Sequence, residues 1–247
     1  MKGNMTNSNL KSAIVIGATS GIGRALVEQL VTRGCQVGIT GRRHEMLEEI
    51  RQKYNEAVCW RCMDVCDTEN ARSAFAGLAE EMGDIDLVVI SAGTGVINSE
   101  LAWEPEARTI STNVNGFAAM ATAAMKLFID QGYGHLVGIS SIGALRGNRD
   151  APAYNASKAF VSNYLEGLRV KAARSRLPIY VTDILPGFVD TAMAQGPGLF
   201  WVSTPQKAAE QIMAAIDKRK RRAYITRRWR LIAWLMKALP DFIYERM

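Results

Sequence analysis

The feature that most restricts the fold of this chain is a repeated switch between two hydrophobic periods. Short runs rich in β-branched residues alternate with longer stretches whose apolar residues recur every three to four positions. Strands are expected at residues 12–16, 36–40, 57–63, 85–90, 135–139 and 179–184. Helices are expected at 21–32, 44–54 and 69–82, near 104–113, in an Ala-rich stretch ending at Asp130, and over 153–175. Strands that alternate with helices in this way predict βαβ units and a parallel sheet. Right-handed crossovers then place helices on both faces, giving an α/β doubly wound sheet in three layers.

No Pro-, Gly- or Ser-rich linker divides the 247 residues. The expected organisation is one Rossmann-like domain over residues 1–226 and a basic, apolar helical extension over 227–247. The composition, 48% apolar and 22% charged, excludes disorder, collagen-like repeats and coiled-coil rods. The charge of +6 is uneven. From Lys218 to the end, ten Lys/Arg face only Asp241 and Glu245, a balance of +8, so the remainder carries −2. A neutral body with a basic tail argues against a nucleic-acid binder. Four cysteines are too few for a disulfide scaffold. The polar start, MKGNMTNSNLKS, does not read as a signal peptide, and the apolar run 231–236 is far too short to span a bilayer. A cytoplasmic protein is expected, with a peripheral membrane contact as a variant of that expectation.

The first strand runs into Gly17-Ala18-Thr19-Ser20-Gly21-Ile22-Gly23, and a helix begins at once. Glycines at these positions let the chain turn tightly and let its backbone approach a pyrophosphate. The helix start adds free N–H groups and the positive end of the dipole. In such folds an acidic residue after the second strand holds the ribose hydroxyls of NAD. Here that position reads Gly41-Arg42-Arg43. Two guanidiniums suit a 2′-phosphate, so NADP(H) is expected in preference to NAD(H).

Tyr154 and Lys158 are spaced i, i+4, which places them on one helix face. A cation near a phenol favours the phenolate, and so makes Tyr154 a usable acid/base. Ser141 stands thirteen residues upstream of Tyr154, at the end of an expected strand. With these features the chain resembles the short-chain dehydrogenase/reductase family over essentially its whole length. Further matches are Asp64-Val65, Ala92-Gly93, Asn113-Val114-x-Gly116 and Pro186-Gly187 with Thr191. The resemblance implies that Tyr154 exchanges the proton, Ser141 holds the substrate oxygen and Lys158 binds the nicotinamide ribose and tunes Tyr154. It assigns a relay water to Asn113, adenine to Asp64 and the carboxamide to the stretch from Pro186 to Thr191. The catalytic set is therefore Asn113, Ser141, Tyr154 and Lys158. The cofactor set is Gly17, Thr19, Ser20, Gly21, Ile22, Gly23, Arg42, Arg43, Asp64, Val65, Ala92, Gly93, Tyr154, Lys158, Pro186, Gly187, Val189 and Thr191.

The chain departs from the family pattern in two places: Ile16 replaces a Thr before the first glycine, and Ile90-Ser91-Ala92-Gly93 stands where the family usually has Asn-Asn-Ala-Gly. Neither touches a reacting atom. Cys59, Cys62 and Cys66 read as core thiols and not as a metal site, because His44 and His135 supply no second ligand pair. The resemblance implies a substrate lid at Met193, Leu199, Phe200 and Trp201, the alternative being a plain surface loop. Ala118, Ala119, Ala121, Ala123 and Ala124 allow close helix approach, and the resemblance implies a homodimer or homotetramer there. The extension, with Trp229 and Trp234 beside five cations, either docks on protein or lies on a membrane surface. The function expected is NADP(H)-dependent interconversion of a ketone and a secondary alcohol on a small, apolar substrate. The competing expectation is a non-catalytic NADP(H) sensor or scaffold on the same fold.

Overall fold

The computed structural model describes residues 10–191 and 200–246, and in it seven strands form one sheet in the order β3-β2-β1-β4-β5-β6-β7. All neighbours are parallel. The strands are β1 (Ser12–Ile16), β2 (Gln36–Gly41), β3 (Val58–Cys62), β4 (Leu87–Ile90), β5 (Gly134–Ile139), β6 (Ile179–Pro186) and β7 (Arg222–Ile225). The helices are α1 (Gly21–Thr32), α2 (His44–Tyr54), α3 (Thr68–Met82), α4 (Trp103–Ile110), α5 (Phe117–Gln131), α6 (Pro152–Ser175), α7 (Pro205–Asp217), α8 (Trp229–Ala238) and α9 (Asp241–Tyr244).

The two-residue period of β1 explains the layering. Ala13 and Val15 enter a core with Leu26 and Leu30 of α1, Leu47 of α2 and Ile212 of α7. Ile14 and Ile16 point the other way, into a core with Phe75 of α3, Phe128 of α5 and Leu165 of α6. Because both faces are covered, the central strands are apolar throughout. Winding reverses between β1 and its neighbour β4, so the crevice of this doubly wound, Rossmann-like sheet opens at their carboxyl ends.

Three expectations need correction. The segments at 104–113 and up to Asp130 are not separate helices: a π-helical turn, Ser111–Gly116, joins α4 to α5 in one continuous rod. Strand β7 and helix α7 were not expected at all. Arg222-Ala223-Tyr224-Ile225 is a short edge strand with three half-buried residues, so its apolar signal is weak inside a basic run. Finally, Cys62 is exposed and Cys59 and Cys66 are only partly buried, leaving Cys35 as the one core thiol. For Cys59 and Cys62 the cause is topological, since β3 is an edge strand, whereas Cys66 lies in the loop beyond it. Among the described residues no helix is long and apolar enough to cross a membrane, and no cluster of His, Cys, Asp and Glu could hold a metal ion.

Helix α8 lies on the body of the protein. Trp229 and Ala233 are buried and pack with Ile142, with Ile232 and Met236 completing the inner face. The chain beyond is tied down by Arg146, whose Nη2 donates to Asp241 Oδ1 at 2.8 Å and whose Nη1 donates to the Leu239 carbonyl at 3.1 Å.

Phe128 is the largest fully buried side chain of the α5 core. Phe128→Ala is expected to destabilise the fold by about 3–5 kcal/mol. Urea unfolding should show this as a lower midpoint with an unchanged slope. A loss under about 1 kcal/mol would show that α5 does not anchor this layer.

Candidate active site

The crevice is built by the loops at the carboxyl ends of the strands. After β1, Gly17 adopts φ +88°, and a Cβ there would lie 2.5 Å from the Ala92 amide nitrogen. Both the Ser91 and Ala92 amides donate to the Ile16 carbonyl at 2.8 Å, so the loops after β1 and β4 touch backbone to backbone. Such an approach leaves no room for a side chain at Gly17. The next loop residues open α1, where Ser20 caps the helix without a side-chain bond and no acidic residue occupies the first turn. The first N–H groups of α1 are therefore free to receive an anion. Thr191 packs beside this loop, its Cγ2 lying 3.0 Å from where a Gly21 Cβ would be.

After β2, Arg43 turns back onto the loop. Its Nη2 donates to Thr19 Oγ1 at 2.6 Å and to Ser20 Oγ at 2.8 Å. Arg42 lies 3.8 Å from Asp64, with both side chains about half exposed. Asp64 is itself fixed after β3, where its Oδ1 accepts from the Cys66 amide at 3.0 Å. Gly17, Thr19, Ser20, Gly21, Arg42, Arg43 and Asp64 thus share one rim, at the start of α1. Val65 lies behind it, against Gly116 of the π-helical turn. Ile22 and Gly23 are on α1 itself, Gly23 packed on the Gly17 carbonyl.

The second half of the crevice gathers the other predicted residues. Asn113 is buried in the π-helical turn. Its Oδ1 accepts from the Thr94 amide at 2.8 Å, and its Nδ2 donates to the Thr94 carbonyl at 2.7 Å and to Ser157 Oγ at 2.9 Å. A π-turn shifts the register of a helix by one residue, which is how such a turn presents a side chain at a functional site. Lys158 Nζ donates to the Ile139 carbonyl at 3.0 Å. A Cβ at Gly93 would sit 3.2 Å from that Nζ and 3.3 Å from Asn113 Oδ1, so the three positions converge on one small space. The Tyr154 ring packs over Gly95, and Ser141 follows β5 with its Oγ accepting from the Gly143 amide at 3.0 Å. Pro186 ends β6, Gly187 follows it, and Val189 bridges to Ser203. Of the expected lid, Phe200 and Trp201 are described and partly exposed, whereas Met193 and Leu199 lie outside the described residues.

The electrostatics differ from the simple i, i+4 expectation. Lys158 Nζ is 5.8 Å from the Tyr154 ring centroid, and its hydrogen bond goes to the backbone. Burial raises the Tyr154 pKa above its ordinary value, and the Ser141 hydroxyl opposes this. Lys158 does not override that burial. Its own pKa is lowered to about 8, first by burial, while the Asp183 carboxylate pulls the other way.

Asp183 was missed in the sequence, although a carboxylate inside the apolar run Ile179–Pro186 is itself a signal. It is fully buried and accepts from Ser140 Oγ and Ser162 Oγ, each at 2.5 Å, and from Arg222 Nε at 3.1 Å. Ser140 precedes Ser141, and Ser162 is one helical turn after Lys158. The carboxylate therefore ties together the two segments that carry these side chains. Trp229 was not named as a site residue, but docking of its helix on protein was one of the two expectations for the extension, and it holds for this side chain. Its indole lies on Gly187, where a Cβ would be 2.0 Å from Cε2, and stacks on Phe200 at 5.1 Å. Its Nε1 is buried without a partner among the described residues.

Comparison with known proteins agrees with this architecture. The sequence profile described as short chain dehydrogenase matches residues 11–198. An uncharacterized oxidoreductase of Mycobacterium tuberculosis is 30% identical, with 98% of this chain and 99% of the relative covered. Among solved structures, a short-chain dehydrogenase from Streptomyces avermitilis is 26% identical with a TM-score of 0.80, covering 92% of this chain and 91% of its own. The closed form of a serine dehydrogenase complexed with NADP+ is 25% identical with a TM-score of 0.73, covering 83% and 88%.

The buried Lys158 yields a pH dependence whose sign is fixed. A lysine held at about 8 in the fold and 10.5 when unfolded penalises the folded state below pH 8. That penalty disappears as pH rises through this window. The melting temperature of the wild type, relative to Lys158→Met, should therefore increase from pH 8 to pH 10.5. A difference that stays flat or falls would show that Lys158 is not desolvated.

Proposed function

Because this chain belongs to the short-chain dehydrogenase family, an oxidoreductase family, we propose that it interconverts a ketone and a secondary alcohol with NADP(H). The observation that carries this reading is the convergence of Lys158 and Asn113 on Gly93, with the Tyr154 ring over Gly95 beside them. A cofactor of this class fits the residues present. Gly17 and Gly93 leave the crevice free of side chains, and the uncapped start of α1 offers N–H groups to a diphosphate. When bound, the nicotinamide supplies or accepts a hydride.

The chain's own residues do the rest. Tyr154 donates a proton to the carbonyl oxygen as it becomes a hydroxyl, or removes it in the reverse direction. Burial, which raises the phenol's pKa, keeps it protonated for reduction but makes it a weaker donor, so the Lys158 charge must help the proton leave. Ser141 hydrogen-bonds the same oxygen and positions it. Lys158, anchored on Ile139, would hold the ribose of the bound cofactor and set a positive charge near the developing phenolate. Asn113 braces the loop after β4 through Thr94, and in this reading it would hold a water on the proton path. The aromatic cluster of Phe188, Phe200 and Trp229, packed on Gly187 after β6, supports an apolar carbonyl compound. The half-exposed Ala118, Ala119 and Ala123 suit pairing of α5 in a homodimer or homotetramer.

The NADP+ complex of the serine dehydrogenase relative supports the cofactor class, and Arg42 supports the phosphate form. Arg42 and Arg43 separate in a test. Arg42→Ala should weaken NADPH binding roughly ten- to a hundredfold and leave NADH unchanged, as expected for losing a charged hydrogen bond. Arg43→Ala should weaken both cofactors, because Arg43 also holds Thr19 and Ser20. Unchanged selectivity in Arg42→Ala would refute the phosphate assignment.

Purified protein assayed for NADPH oxidation against a panel of apolar ketones tests the reaction itself. Tyr154→Phe should lower turnover by about 10²–10⁴ while fluorescence titration shows NADPH still bound. Retained turnover in that variant would remove Tyr154 from the chemistry. A wild type that binds NADPH and turns over no carbonyl compound would favour a sensor.

A further inference from the structure

Helix α8 has two apolar sides. At about 100° per residue, Trp229, Ile232, Ala233 and Met236 share the inner side, and these are its buried or half-buried residues. Leu231, Trp234 and Leu235 occupy the opposite side and are 70%, 72% and 52% exposed. Phe242 and Ile243 of α9 add a further 62% and 41%. An ordinary surface helix presents a polar outer side, and a cluster of large exposed apolar groups marks an interaction surface.

The surrounding charge selects the occupant. Arg230 and Lys237 lie one above the other at an edge of the outer stripe, two turns apart. Beside the first turn of α8, a shallow cavity of about 470 Å³ is lined by Ser203, Lys207, Thr226, Arg227 and Arg228, with no carboxylate among its lining residues. Lys207 stands in the first turn of α7. A second copy of the chain fits this surface poorly. Two-fold pairing would set the same strongly basic segment against itself. Aliphatic and indole groups bordered by cations match an anionic bilayer, where the apolar stripe enters the acyl boundary and the cations meet headgroup phosphates.

We propose that the outer side of α8, continued by α9, seats this protein on an anionic membrane surface. The inner side of the same helix covers the segment 142–145 that follows Ser141, so the seat lies next to the candidate site. Membrane binding requires nothing of Tyr154 or the cofactor, and its test is independent of turnover.

Full-length protein is floated with vesicles of phosphatidylcholine alone and of phosphatidylcholine with phosphatidylglycerol, at low and high salt. It should rise with the anionic vesicles at low salt. High salt, which shortens the screening length from about 10 Å at 0.1 M to about 3 Å at 1 M, should release most of it. Arg230→Ser/Lys237→Ser should lower the partition coefficient roughly 25-fold. Trp234→Ser/Leu235→Ser should remain at the bottom, with an unchanged thermal melt because both side chains face outward. Phe242→Ser, in α9, is a second variant expected to weaken flotation. The proposal is overturned if wild-type protein stays at the bottom with anionic vesicles, or if Trp234→Ser/Leu235→Ser floats as well as wild type. It is equally overturned if wild type does not float and Trp234→Ser/Leu235→Ser changes oligomeric state by size exclusion, which would assign the surface to a second copy.

Discussion

The contact between the loops after β1 and β4 governs the rest of this structure. The Ile16 carbonyl accepts two amides from the second loop, and Gly17 lies so close to Ala92 that a methyl group would not fit. That closeness arises because β1 and β4 are sheet neighbours on which winding turns from one direction to the other. It opens a crevice floored by backbone, and it points the start of α1 into that crevice. Gly93, two residues beyond Ser91, then comes within reach of Lys158 and Asn113. The glycine-loop half and the chemical half of the candidate site are thus joined where the Ile16 carbonyl meets the Ser91 and Ala92 amides.

The chemical half carries a cation where a cation is costly. Lys158 is 5% exposed, and burial disfavours its charge. The Ile139 carbonyl and the Asp183 carboxylate offset part of that cost, and Asp183 is in turn satisfied by two serines and Arg222. The network reaches from the edge strand β7 through β6 to α6. An edge strand with no obvious apolar pattern therefore supports the residues at the centre of the crevice.

Legibility in the sequence followed the physical range of each signal. Strands β1, β2 and β5 and helices α1, α2 and α6 fall close to their expected positions, because a two-residue or 3.6-residue period is written locally. The Gly17 loop and the Tyr154–Lys158 spacing were legible for the same reason. The π-helical turn was not, since the sequence through Asn113 is compatible with a regular helix and tertiary bonds to Thr94 and Ser157 accompany the extra residue. Strand β7 was hidden because its stability comes from pairing with β6, not from its own apolar content. The partial exposure of Cys59 and the exposure of Cys62 likewise depend on β3 being at an edge, which only the strand order reveals.

Sequence by itself determined the layered α/β architecture, the glycine loop before α1, the paired arginines after β2 and the residue types available for proton transfer. Each of these depends on neighbours within a few positions along the chain. The tertiary structure alone decided that burial raises the Tyr154 pKa while the Ser141 hydroxyl opposes it. It also decided that Asp183 lies behind Lys158, and that Trp229 turns inward over Gly187 while Trp234 turns outward. Desolvation and long-range charge depend on what folds around a group in three dimensions. The two tryptophans are five residues apart in one helix, and only the surface against which α8 lies distinguishes a buried residue from an exposed one.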